Sequence, residues 1–123
     1  MSLKSLAAKI YATWTRRQIN RWAEHPISTQ RKVFQDLISR AQNTAFGKDH
    51  GFKDIESSKD FAEKLPIRDY EDLKPYIDRV VNGEPDILWP GKPLYFAKTS
   101  GTTSGAKFIP LTKESMPTHI KAA

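Results

Sequence analysis

The sequence predicts an α+β chain: a mostly helical stretch over residues 1–83, followed by a β-hairpin built around a loop of Ser, Thr and Gly. Three observations carry that prediction. Apolar residues recur every three or four positions, punctuated by caps and stops, as far as Gly83. Residues 84–93 then hold Pro85, Pro90, Gly91 and Pro93, a composition suited to an ordered, extended connection. Beyond them, two short apolar runs flank residues 99–105, which are drawn only from Thr, Ser and Gly.

The helical part reads in order. Leu3, Leu6, Ile10, Trp14 and Trp22 form one stripe in a stretch without Gly or Pro, with Lys4, Lys9, Arg16, Arg17 and Arg21 mostly off it. Trp14, Ile19 and Trp22 read as packing residues, and Pro26 ends this helix. Ser28 is placed to cap a second helix with the stripe Val33, Phe34, Leu37, Ile38, Ala41 and Ala45, and Gly47 is its expected stop. Ser57 followed three residues later by Asp60 has the form of a capping box for a short helix through Phe61 to Lys64. Asp69 precedes the run Tyr70, Leu73, Ile77 and Val80, which Pro75 is expected to break or restart and Asn82-Gly83 to close.

The strands are expected at Leu94–Ala97 and Lys107–Leu111, so the strand–loop–strand unit covers residues 94–111. A helix then starts near Ser115, with Met116 and Pro117 in its first turn, over residues 115–123. A two-stranded hairpin is marginal alone, and a helix of one or two turns has little to pack against. The expectation is therefore that residues 1–123 form the N-terminal part of a larger domain.

Composition excludes several classes. Hydrophobic residues at 38% and charged residues at 28% do not suit a disordered tail or a fibrous repeat. No apolar run approaches the ~20 residues that span a bilayer. The absence of Cys removes disulfides and Cys-based zinc sites, and His25, His50 and His119 are too scattered to suggest a metal site. The net charge of +6 is unevenly placed: residues 1–50 hold nine Lys or Arg against three Asp or Glu, whereas residues 51–123 hold eleven of each. The excess is read as a solvated helix face, so neither nucleic acid nor a membrane is an expected partner. No acidic residue precedes Glu24, as in an organellar transit peptide, but the packing residues and scarce serines oppose that reading. Lys9 interrupts what would be the apolar region of a secretory signal, leaving the cytoplasm as the expected location. Trp14, Trp22 and Trp89 are expected to pack rather than stack on bases. Glu84 and Asp86 read as solvated charges, and Asp69, Glu71 and Asp72 as a helix start.

Residues 99–105, with Lys98 before them and Lys107 after, have the chemistry of an anion cradle. Glycines let backbone N–H groups converge on one point, hydroxyls add donors, and a lysine supplies a point charge. A polyphosphate needs that combination. The Walker loop is absent, because Gly101 and Gly105 are four apart and the lysine follows two residues after the second glycine.

Thr99-Ser100-Gly101-Thr102-Thr103-Ser104-Gly105-Ala106-Lys107 resembles the phosphate-loop motif of adenylate-forming enzymes, [ST]-S-G-T-[ST]-G-x-P-K. It departs from the motif where Ser104 replaces Gly and Ala106 replaces Pro. The continuation Phe108-Ile109-Pro110-Leu111-Thr112 is similar to the acyl-acid amido synthetases, the auxin-responsive enzymes of plants and their bacterial relatives. Asn43 through Phe52, Leu65-Pro66-Ile67, Tyr70 through Pro75 and Asn82-Gly83-Glu84 resemble successive elements of that family, so the likeness covers roughly residues 28–120.

The resemblance implies part of a larger adenylate-forming α/β domain. Its reaction is ATP-dependent activation of a small-molecule carboxylic acid as an acyl-adenylate, followed by amide formation with an amino acid. It implies ATP carried with Mg²⁺. It also implies Thr99, Ser100, Gly101, Thr102, Thr103, Ser104 and Gly105 as the phosphate-binding residues, with Lys107 as the catalytic counter-charge. Lys98 has no motif position and reads as surface charge. Later segments of the family's polypeptide supply the adenine, ribose and acceptor contacts, so residues 1–123 alone are not expected to turn over. Two alternatives stand beside this reading: an acyl-CoA ligase of the phenylacetate type, and a small basic module that binds nucleic acid or a membrane surface. Salt separates the second, because counterion-release binding weakens steeply as salt rises.

Overall fold

A computed structural model describes residues 2–100 and 105–122. It is mostly helical, with one two-stranded antiparallel sheet, in the order α1 (Leu3–Glu24), α2 (Pro26–Ala41), α3 (Ala45–Asp49), α4 (Ser58–Lys64), α5 (Tyr70–Val81), β1 (Tyr95–Thr99), β2 (Lys107–Leu111) and α6 (Met116–Ala122). A 3₁₀ turn at Phe52–Asp54 links α3 to α4. The chain divides into two compact units, Met1–Gln35 and Asp36–Ala123. No helix among the described residues is long and apolar enough to cross a membrane.

In the first unit, α1 is capped by Ser2, whose hydroxyl accepts the Ser5 N–H. None of its residues is buried. Trp14 and Trp22, expected to pack, are 48% and 56% exposed, with the Trp14 ring 6.1 Å from that of Tyr11. Ser28 does not cap α2. Pro26 occupies the first helical position, where its missing N–H costs nothing, and the His25 carbonyl receives both the Thr29 N–H and the Ser28 hydroxyl.

Among the described residues, the second unit is built on seven buried apolar side chains: Ile38 and Ala41 of α2, Phe52 in the 3₁₀ turn and Ile55 just after it, Ile77 and Val80 of α5, and Ile87 of the connection. Gly47 does not stop α2. That helix ends at Ala41, and Gly47 lies inside α3. The cause is Thr44, 1% exposed, whose hydroxyl donates to the Ala41 carbonyl at 2.7 Å and accepts the Gly47 N–H at 3.0 Å. One side chain thus closes one helix and caps the next. Phe46 fills the space between α3 and α5, stacked on His50 at 4.1 Å and edge-on to Tyr76 at 5.1 Å.

The expected capping box at Ser57 forms, and Asp69 and Asp72, expected only as a helix start, make a second one. Ser57 and Asp60 cap α4 reciprocally, and Asp69 and Asp72 do the same for α5. Pro75 neither breaks nor restarts α5, which runs through it, losing only the one N–H that proline lacks. The helix closes as a Schellman motif: the Gly83 N–H reaches the Val80 carbonyl and the Glu84 N–H reaches the Arg79 carbonyl, each at 3.0 Å. The connection that follows is held from both sides. The Ala45 and Phe46 N–H groups donate to the Asp86 and Ile87 carbonyls at 2.8 and 3.0 Å. Asp86, in the left-handed region at φ 57°, accepts the Gly91 N–H on its carboxylate at 2.7 Å. Glu84 pairs with Arg79 at 2.9 Å. Although exposed, these two carboxylates therefore have structural partners.

Candidate functional site

The connection delivers the chain to the hairpin, whose open end carries Thr99 and Ser100 on one side and Gly105 and Lys107 on the other. β1 and β2 pair antiparallel with Thr99 opposite Lys107 and Tyr95 opposite Leu111. The first strand starts one residue later than the sequence suggests and runs two further, because pairing continues to the edge of the loop. Thr99 is accordingly the last residue of β1 rather than a loop residue. Leu94 still donates its N–H to the Leu111 carbonyl at 2.8 Å.

Of the eight residues singled out by the motif, the structure brings Thr99 and Lys107 together as the closing pair of the ladder. Ser100 and Gly105 continue from each strand, and both are exposed. Gly105 is in the left-handed region at φ 82°, with open space where a side chain would stand. Gly101, Thr102, Thr103 and Ser104 lie outside the described residues. An exposed hydroxyl on each of Thr99 and Ser100, an uncrowded glycine backbone and a lysine at the exit are donors without an acidic neighbour in the loop sequence. That donor set fits a phosphate chain carried with its magnesium ion.

Strand alternation separates the two lysines. Paired residues point to the same face, so Lys98 shares a face with Phe108, and its ammonium stands 5.9 Å from that ring. Lys107 points to the opposite face, where its ammonium stands 5.3 Å from the Tyr70 ring at the start of α5. The Tyr70 hydroxyl also accepts the Phe108 N–H at 2.9 Å. Sequence periodicity presents Tyr70 only as an apolar helix position. Its partners are nearly forty residues away, and no local signal links them.

A separate hollow of this unit lies away from the hairpin. It has a volume near 740 Å³ and is lined by Arg40, Thr44, Lys48, Arg79, Glu84 and Asp86 among others, with no residue of the hairpin. Arg40 and Arg79 are paired there with Asp36 and Glu84. Nearby, burial raises the Tyr76 phenol above its ordinary range, and donation to Asp49 at 2.8 Å adds to the effect. That hydrogen bond fixes α5 to α3 and is not part of the hairpin.

Comparison with known proteins supplies the family. Residues 15–123 match the family described as GH3 family N-terminal domain. The chain belongs to the GH3 family. It is 36% identical over 89 residues to the indole-3-acetic acid-amido synthetase GH3.3 of Arabidopsis thaliana, covering 71% of this chain and 15% of that protein. The jasmonoyl–L-amino acid synthetase JAR4 of Nicotiana attenuata is 32% identical over 94 residues, covering 75% of this chain and 16% of JAR4. Among solved structures, a GH3.15 acyl acid amido synthetase superimposes with a TM-score of 0.72 at 27% identity, over 85% of this chain and 19% of that one. This GH3 chain thus spans less than a fifth of the length of the relatives it matches, and its helices and hairpin have the fold of the corresponding part of GH3.15.

Proposed function

We propose that this chain carries the phosphate loop of an acyl-acid amido synthetase, which activates a carboxylic acid with ATP and joins it to an amino acid. The observation that carries the proposal is the hairpin closed by Thr99 and Lys107 around the Ser/Thr/Gly segment, in a chain of the GH3 family. The names of its relatives support the reaction class, since GH3.3 is an amido synthetase of indole-3-acetic acid and JAR4 a jasmonoyl–amino acid synthetase. They favour an amine acceptor over the thiol of an acyl-CoA ligase.

MgATP, when bound, supplies the adenylyl group that activates the carboxylate. The chain's own residues hold and neutralise. Thr99, Ser100 and the glycine-containing loop offer hydroxyl and N–H donors to the phosphate oxygens, and the Lys107 ammonium offsets their charge. The two strands fix Thr99 and Lys107, the residues on either side of the loop.

The test is carboxylate-dependent ATP–pyrophosphate exchange by the full-length gene product, with a panel of aromatic and aliphatic acids. Wild-type protein should exchange with at least one acid, and Lys107→Ala should lower that exchange about 10-fold or more. Exchange unchanged in Lys107→Ala removes the lysine from the mechanism. Folded protein that exchanges with no acid, and binds anionic polymers in a steeply salt-dependent way, would replace this reading with that of a basic binding module.

A further inference from the structure

We propose that Tyr70 is a positioning residue for the phosphate loop: its ring seats the Lys107 ammonium, and its hydroxyl ties β2 to α5 beside that lysine. The inference rests on the reading of Lys107 as a phosphate counter-charge, and it adds the group that sets where that charge stands.

The geometry has two independent parts. First, the Lys107 Nζ lies 5.3 Å from the Tyr70 ring centroid, inside the range in which a ring face attracts a cation. A lysine on a flexible four-carbon stem loses considerable rotamer freedom when it holds a phosphate. A ring that already restricts the stem reduces that loss at the moment of binding. Second, in a two-stranded ladder alternate N–H groups of β2 point away from β1. Phe108 is one of these, and the Tyr70 hydroxyl accepts its N–H at 2.9 Å. The strand edge next to Lys107 is thereby fastened to the first turn of α5. That turn is itself fixed by the reciprocal Asp69 and Asp72 cap.

The two parts respond to different substitutions. Tyr70→Phe keeps the ring and removes the hydroxyl, whereas Tyr70→Leu removes both. Exchange assays on the full-length gene product and NMR on the 123-residue chain read them separately. Tyr70→Leu should raise the KM for MgATP about 5-fold, the size of a part-exposed cation–π contact, with kcat changed less than about 2-fold. Tyr70→Phe should raise KM less than Tyr70→Leu does and speed hydrogen exchange at the Phe108 amide, which loses its acceptor. In the double variant Tyr70→Leu with Lys107→Ala, KM should be no worse than in Lys107→Ala alone, because the ring acts through the lysine.

Several results overturn the proposal. One is a KM in Tyr70→Leu equal to wild type while Lys107→Ala is impaired, which sinks the positioning role and leaves the phosphate-loop reading standing. Multiplicative effects in the double variant sink it as well. Lys107→Ala without effect removes the lysine from the mechanism and the positioning role of Tyr70 with it. NMR decides the matter even if Tyr70→Leu does not fold. In the unsubstituted chain the Lys107 ε-methylene protons should be shifted upfield by the ring, and their appearance at the ordinary lysine position refutes the contact.

Discussion

Replacing Gly47 by alanine tests the packing on which the hairpin's approach depends. In most helices that substitution stabilises by about 1 kcal/mol, because glycine has the larger conformational entropy when unfolded. Here a Cβ would stand 2.1 Å from the Ala41 carbonyl oxygen and 2.9 Å from its carbon. Both atoms are backbone and cannot rotate away. Relief requires a movement of about an ångström between the end of α2 and α3, at the high end of the roughly 1–3 kcal/mol that overpacking costs. The same carbonyl holds the Thr44 N–H and hydroxyl, so the movement also strains those bonds. The net expectation is a loss of about 2 kcal/mol, or roughly 8–16 °C in Tm for a domain of this size. Urea and thermal unfolding followed by circular dichroism measure it. A Gly47→Ala chain as stable as wild type would show that α2 and α3 do not approach as described.

Two further outcomes follow from the same unit. Thr44→Val keeps the side-chain shape but removes the hydroxyl that closes α2 and caps α3, and should cost about 1–2 kcal/mol in a urea titration. Asp60 is held below its ordinary value of 3.8, first by the Ser57 hydroxyl side chain and then by the Glu56 and Ser57 N–H groups. A lowered carboxylate stabilises the fold above its unfolded value, and that contribution disappears as pH falls from 3.8 through the folded value. The Ser57 amide should therefore lose exchange protection over that acid range in wild type, whereas in Asp60→Asn the loss should be absent or much smaller.

How much of this was legible depends on the range of the interaction. The Ser57 capping box, the helix start at Asp69 and the Asn82-Gly83 stop are readable, because each is closed by residues within three or four positions. β2 has its expected ends for a similar reason: the short apolar run Phe108-Ile109-Pro110-Leu111 follows directly on the Ser/Thr/Gly segment. The second helix was misjudged at both ends. Its true stop lies in Thr44, which bonds Ala41 and Gly47 three residues to either side, a local signal hidden by an apolar stripe that runs on to Ala45. Pro75 was overweighted, since packing of Ile77 and Val80 holds α5 continuous past one missing hydrogen bond. Thr99 was placed in the loop because its type matches the loop, whereas pairing with Lys107 makes it strand. The motif identified the candidate loop residues but not Tyr70, which reaches them only through the folded hairpin.

The opposite facing of Lys98 and Lys107 has a practical use in chemical footprinting. Two primary amines on one hairpin meet an acylating reagent in different surroundings: Lys98 is exposed, and Lys107 is partly covered on the other face. Each labelled molecule therefore carries its own internal standard. The ratio of modification at the two sites cancels differences in reagent dose and protein concentration. Any ligand that settles in the loop should be read as a fall in Lys107 labelling against an unchanged Lys98, which turns a single alternation of strand residues into a ratiometric sensor of occupancy.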